Sequence, residues 1–169
     1  MVAGVCCVTR SANEVMVLAT KAARGAGAPP AQAAQFGAAA VVHLTAGRDI
    51  AALDAALAAL PDGPIIELPL ALTRIAESQV EGIATGVLDL AGSTLAQSYV
   101  AALSYAAALA KDGTVHLDLN RPAPRAMVQR IDLSEESYTA WTAMAAALLV
   151  PESDASRLSG AGAGLTDND

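Results

Sequence analysis

The chain has 169 residues, the span of one ordinary domain, and its net charge of −7 with a pI near 4.7 excludes nucleic acid, whose phosphates require a basic face. Hydrophobic residues make up 54% of it, yet 41 residues are alanine and aromatics only 3%, so the core must be built from Leu, Val, Ile and close Ala contacts. Charged residues, at 16%, fall below the roughly 25% of average domains, which predicts burial against further copies of the chain, a homo-oligomer.

Val2 to Thr9 is an apolar run suited to a first strand. Ser11 with Glu14 three residues on forms a capping box, and Val15, Leu18, Ala19 and Ala22 follow at helical spacing to a stop at Gly25. Glu14, Lys21 and Arg24 then share a neighbouring face. After a Gly/Pro turn, a second helix runs from Pro30 to about Ala46, apolar nearly all round and therefore central or at a subunit contact. Asp49 caps a third helix carrying Leu53, Leu57 and Leu60, ended by Pro61-Asp62-Gly63-Pro64.

From Ile65 the punctuation shortens. Ile65 to Leu72 reads as extended and broken by Pro69, and Gly86 to Leu90 as a second short run. Ala106–Ala110 and Thr114–Leu119 flank Lys111-Asp112-Gly113, a β-hairpin in which Val115, Leu117 and Leu119 alternate with His116 and Asp118. Ala126 to Leu133 reads as another strand. Ser134 then caps a late helix, with Glu135 and Glu136 at its positive end and Tyr138, Trp141, Ala145 and Leu148 on its buried face. The expected fold is α+β: N-terminal helices, a central antiparallel sheet with a hairpin, a late amphipathic helix, and a glycine-rich C-terminal tail. Residues 1–150 form the domain and 151–169 a tail packed on it or on a neighbouring subunit.

Leu90 to Ala110 lacks charge for a bilayer-spanning length, but its Gly, Ser, Thr, Gln and Tyr residues argue against insertion. Cys6 and Cys7 are adjacent and offer neither a disulfide scaffold nor a zinc spacing; they read as buried strand residues, with a vicinal disulfide or reactive thiol as the alternative. Nothing resembles a secretory signal, so the expected compartment is the cytoplasm.

Two segments nominate a site. Arg24, Gly25 and Gly27 join a guanidinium able to hold a carboxylate or phosphate to a turn whose amides can face a ligand, although a solvated C-cap explains the same residues. Arg157 with Gly160, Gly162, Gly164, Asp167, Asn168 and Asp169 forms a tail able to thread a narrow groove and present carboxylates. An ordinary frayed end explains it too, though Leu158 and Leu165 suggest anchors. His116 with Asp118 reads as a solvent-facing strand edge rather than a base and its orienter, and His43 as a satisfied core or interface histidine.

Ser11-Ala12-Asn13-Glu14, Ala23-Arg24-Gly25-Ala26-Gly27 and the closing Gly160-Ala161-Gly162-Ala163-Gly164 with Asp167-Asn168-Asp169 resemble an uncharacterised bacterial family, a domain of unknown function. The resemblance implies a bacterial, cytoplasmic, metabolic protein and transfers no catalytic residue, cofactor or metal. The expectation is a small anionic metabolite bound by Glu14, Arg24, Gly25, Gly27, Arg157 and the tail, with catalysis in an oligomer left open. The alternative is a non-catalytic accessory subunit whose glycine tail docks into a partner metabolic enzyme.

Overall fold

The computed structural model describes residues 7–89, 93–124 and 130–148. Strand β1 (Cys7–Ser11) leads directly into α1 (Ala12–Gly25), followed by α2 (Pro30–Thr45), α3 (Ala51–Ala58) and α4 (Pro64–Glu77). Strand β2 (Ile83–Val87), helix α5 (Thr94–Ala101), strands β3 (Tyr105–Leu109), β4 (Thr114–Pro122) and β5 (Arg130–Ser134), and helix α6 (Glu135–Ala146) complete an α+β fold.

The strands form two antiparallel sheets rather than one. The hairpin β3–β4 takes β2 on its other side, giving the order β2-β4-β3. Its turn is built as the sequence predicts: Gly113 sits at φ 91°, and the Thr114 amide donates to Asp112 Oδ1 at 3.0 Å. Val115 and Leu117 point inward, where Ala84 is also buried and Gly86 lets α4 approach so closely that a Cβ would press on Ile75. The second sheet pairs the first strand with the last, Cys7 opposite Ser134 and Ser11 opposite Arg130. Both strands end on a serine that caps the helix behind it. Ser11 Oγ accepts from the Glu14 amide at 3.2 Å, and Ser134 Oγ from the Ser137 amide at 3.1 Å.

Helix α2 is central, packed on α1, α4 and α5, with Ala33, Phe36, Gly37, Ala39, Ala40 and His43 buried. Ala19, Ala22 and Ala23 of α1 and Ala33, Ala39 and Ala40 of α2 are fully buried, and a glycine brings the two helices closer still. A Cβ on Gly37 would collide with Thr20 Oγ1 and lie 2.7 Å from the Met16 carbonyl oxygen, so α1 and α2 touch nearly backbone to backbone.

Several expectations need correction. Ile65–Leu72 is not extended but belongs to α4. Pro64 occupies the first turn, and Ile65, Leu68, Leu72 and Ile75 follow at helical spacing on the buried side. Pro69 is buried within that helix, and packing of this stripe outweighs the hydrogen bond that proline cannot donate. The run placed at Gly86–Leu90 pairs instead as Ile83–Val87, whereas the strand expected at Ala126–Leu133 is present as Arg130–Ser134, residues 126–129 lying outside the described residues. Helix α5, which the sequence reading left unassigned, is capped by Ser93, whose Oγ accepts from the Leu95 amide at 3.2 Å. Cys7, expected to be buried, is exposed on β1. Leu148, expected on the buried face of α6, lies beyond its end and is 39% exposed.

Candidate functional site

Two concave regions lie on α6. The larger, about 360 Å³, is lined by Ile50, Ala51, Asp54, Ser134, Glu136, Ser137, Ala140 and Met144. Its polar groups are largely committed to one another. Buried Trp141 donates through Nε1 to Asp54 Oδ1 at 2.7 Å, Ser137 Oγ donates to Asp54 Oδ2 at 2.9 Å, and Ser134 Oγ donates to Ser137 Oγ at 2.9 Å. Asp54 therefore ties α3 to α6, and both its oxygens are in use.

The smaller region, a groove of about 290 Å³, is lined by Arg10, Asn13, Glu14, Val17, Leu18, Lys21 and Tyr138. It forms because the capping box fixes the start of α1 and the pairing of β1 with β5 carries α6 alongside. The Arg10 guanidinium lies over the Tyr138 ring, 4.8 Å from its centroid, and donates to Tyr138 Oη at 3.3 Å and to the Thr9 carbonyl at 3.2 Å. Of the five N–H donors of a guanidinium, these bonds use two, leaving three without a hydrogen bond among the described residues. On the outer face of α1, Glu14 and Lys21 stand seven residues apart and so on one stripe, with Val17 beside them.

Glu14 is held by a single oxygen. The Ser11 amide donates to Oε2 at 2.8 Å and Ser11 Oγ donates to the same atom at 2.7 Å, while Oε1 makes no hydrogen bond among the described residues. These bonds from Ser11, helped by the charges of Arg10 and Arg130, hold the carboxyl below the usual carboxylate range, so it is ionised at neutral pH. No ion pair joins Glu14 to Arg10 or Lys21 among the described residues. The groove thus presents one fixed carboxylate and two cations, each open to a further partner.

The nominated residues divide accordingly. Glu14 lines the groove together with Lys21, its neighbour on the same helix face, and with Arg10 and Tyr138, which nothing in the sequence singles out for a site. Arg24 is exposed at the last turn of α1, beyond the groove lining. Gly25 is used for packing: a Cβ there would collide with the Met144 carbonyl oxygen of α6. Gly27 sits at φ 104° with nothing within 4 Å of a built Cβ, the open turn that a glycine permits. Arg157, Gly160, Gly162, Gly164, Asp167, Asn168 and Asp169 lie outside the described residues.

The histidines are accounted for separately. His116 is exposed, its Nδ1 3.2 Å from Thr85 Oγ1, while Asp118 Oδ1 accepts from the Asn120 amide at 3.1 Å, so the two form no catalytic pair. His43 is buried, with Nε2 2.9 Å from the Asp49 carbonyl and Nδ1 2.9 Å from Ser98 Oγ. A carbonyl only accepts, so Nε2 carries the proton. Burial depresses the ring's pKa and keeps it neutral, which makes Nδ1 the acceptor of the Ser98 hydroxyl proton. Arg48 Nη1 donates to the same Ser98 Oγ at 2.7 Å, and the Thr94 carbonyl, 2.9 Å away, is the alternative acceptor for that proton. This serine–histidine pair is sealed from solvent and joins α2 to α5; it is not a nucleophile and its base.

Among the described residues no group of three His, Cys, Asp or Glu side chains gathers as a metal site requires, and no helix is long and apolar enough to cross a membrane. Compared with family models, curated proteins and solved structures, the chain finds no match in any of the three.

Proposed function

We propose that this protein binds a small anionic metabolite in the α1–α6 groove, with Arg10 and Lys21 receiving the anion and Tyr138 forming the wall behind it. The observation that carries the reading is Arg10: stacked on Tyr138 and anchored by two hydrogen bonds, its guanidinium is preorganised while three of its donors stay open. A second cation, Lys21, lines the same groove in a chain whose net charge is −7. The volume, about 290 Å³, lies at the small end of ligand pockets, which typically run about 300–1,000 Å³, and suits a metabolite rather than a dinucleotide. A bacterial cytoplasmic setting and a homo-oligomeric state belong to the same proposal.

Titration of the ¹⁵N-labelled protein with succinate, inorganic phosphate and 4-methylpentanoate tests it. The expected result is saturable shifts of the amides of Arg10, Asn13 and Tyr138 with at least one of the three. The double substitution Arg10→Gln with Lys21→Gln should abolish those shifts and leave the circular dichroism melt within a few degrees. No shift with any probe, or unchanged binding by the double variant, would overturn the reading. Arg24→Ala and Arg157→Ala measure separately what the helix end and the tail add.

A further inference from the structure

The groove carries more than a receptor for negative charge. Glu14 sits among the cations that would take an anion, four residues from Arg10 and seven from Lys21, and all three line one concave surface. A carboxylate there weakens the binding of any simple anion by repulsion, so a pocket evolved for phosphate or a dicarboxylate gains nothing from it. Its place in the capping box accounts for Oε2 alone, since Ser11 bonds only that atom. Glutamine serves a capping box equally well, so the cap does not require the charge.

The remaining oxygen, Oε1, has no hydrogen-bond donor among the described residues. The same groove is lined by Asn13, an uncharged amide, and by Val17, 40% exposed, and Leu18, which supply an apolar flank. A ligand that matches this arrangement carries an anionic group for Arg10 and Lys21, an ammonium within a few bonds of it for Glu14 Oε1, and an apolar remainder for Val17 and Leu18. Resting on the anion-binding reading above, we infer that the ligand is a zwitterion of the α-amino acid class with an apolar side chain, and that Glu14 is its ammonium receptor. The cap fixes the carboxylate in place before binding, so little side-chain freedom is lost when the ligand arrives.

The test uses two probes of nearly the same shape, L-leucine and 4-methylpentanoate, which differ by the ammonium group. Both are titrated at pH 7 into the full chain and into Glu14→Gln, with binding read from amide shifts. The wild-type protein should bind L-leucine at least about tenfold more tightly than 4-methylpentanoate, and Glu14→Gln should remove that preference while holding 4-methylpentanoate as well or better. Glutamine keeps an acceptor for Ser11, so the variant should fold, melting modestly below the wild type because the charge stabilised by Ser11, Arg10 and Arg130 is lost. Equal affinity for the two probes in the wild-type protein overturns this inference and leaves the anion reading standing. A leucine preference that survives in Glu14→Gln overturns the assignment of Glu14, and binding of neither probe overturns the zwitterion class.

Discussion

Asp54 joins the short helix α3 to α6 through Trp141, and the strength of that tie can be worked from the structure. The indole N–H, on a side chain with no exposed surface, donates to Asp54 Oδ1 at 2.7 Å. Asp54→Ala leaves that donor without a partner, a loss of about 1–3 kcal/mol for a buried group. Ser137 Oγ loses its acceptor as well; the residue is only 4% exposed but lines the groove that the truncation widens, so water entering there makes its share the smaller one. A total near 2 kcal/mol is expected, and at about 2–4 °C per kcal/mol for a chain of this length the melting temperature should fall by about 4–8 °C. Asp54→Asn retains an acceptor for the indole and should cost less than about 1 kcal/mol.

A double-mutant cycle with Trp141→Phe isolates the bond. The coupling between Asp54→Ala and Trp141→Phe should be about 1–1.5 kcal/mol. Urea unfolding followed by far-ultraviolet circular dichroism is the appropriate assay, because Trp141 is the chain's single tryptophan and its replacement removes the fluorescence signal. A coupling within about 0.3 kcal/mol of zero would refute the claim that this bond holds α3 to α6.

The two glycines of the Arg-Gly-Ala-Gly segment should separate. Gly25→Ala forces α1 and α6 apart at the Met144 carbonyl and should cost about 3 kcal/mol, the upper part of the range for overpacking, whereas Gly27→Asn should cost only about 1 kcal/mol; urea midpoints compare them, and similar losses would contradict the packing role of Gly25. His43 should make stability depend on pH. Its pKa in the folded protein lies below the unfolded value of about 6.5, so the folded state resists protonation; the contribution is complete above about pH 6.5 and is lost as pH falls through the folded value. Urea midpoints at pH 7 and pH 5 should differ more for the wild type than for His43→Gln, and parallel profiles would count against it. Sedimentation at micromolar concentration tests self-association: Ile83 and Val87 on the charge-free strand β2 are 52% and 66% exposed and Val80 just before it 73%, and a monomer would contradict the expected oligomer.

What was legible in the amino-acid sequence is what a few neighbouring residues decide among themselves. The capping box of Ser11 and Glu14, the serine cap before α6, the hairpin turn at Asp112-Gly113 and the span of α2 all arise from partners within about four positions, where propensity and hydrogen-bonding geometry act directly. Where a local signal met a tertiary one, the local signal lost. Pro69 argued against a helix, yet the stripe from Ile65 to Ile75 buries well enough to keep α4 continuous through it.

The sites were legible only in part: Glu14 and Lys21 share a helix face in the sequence, but the partners that complete each site lie far along the chain. Arg10 meets Tyr138 across 128 positions, Asp54 meets Trp141 across 87, and His43 meets Ser98 across 55. Composition alone showed no cluster of basic residues, because Arg130 joins Arg10 beside Glu14 only when the first strand pairs with the last. The choice between two glycines of one short motif was tertiary for the same reason. Gly25 and Gly27 are equivalent as residues, and only the approach of α6 to the end of α1 makes one a packing contact and leaves the other an open turn.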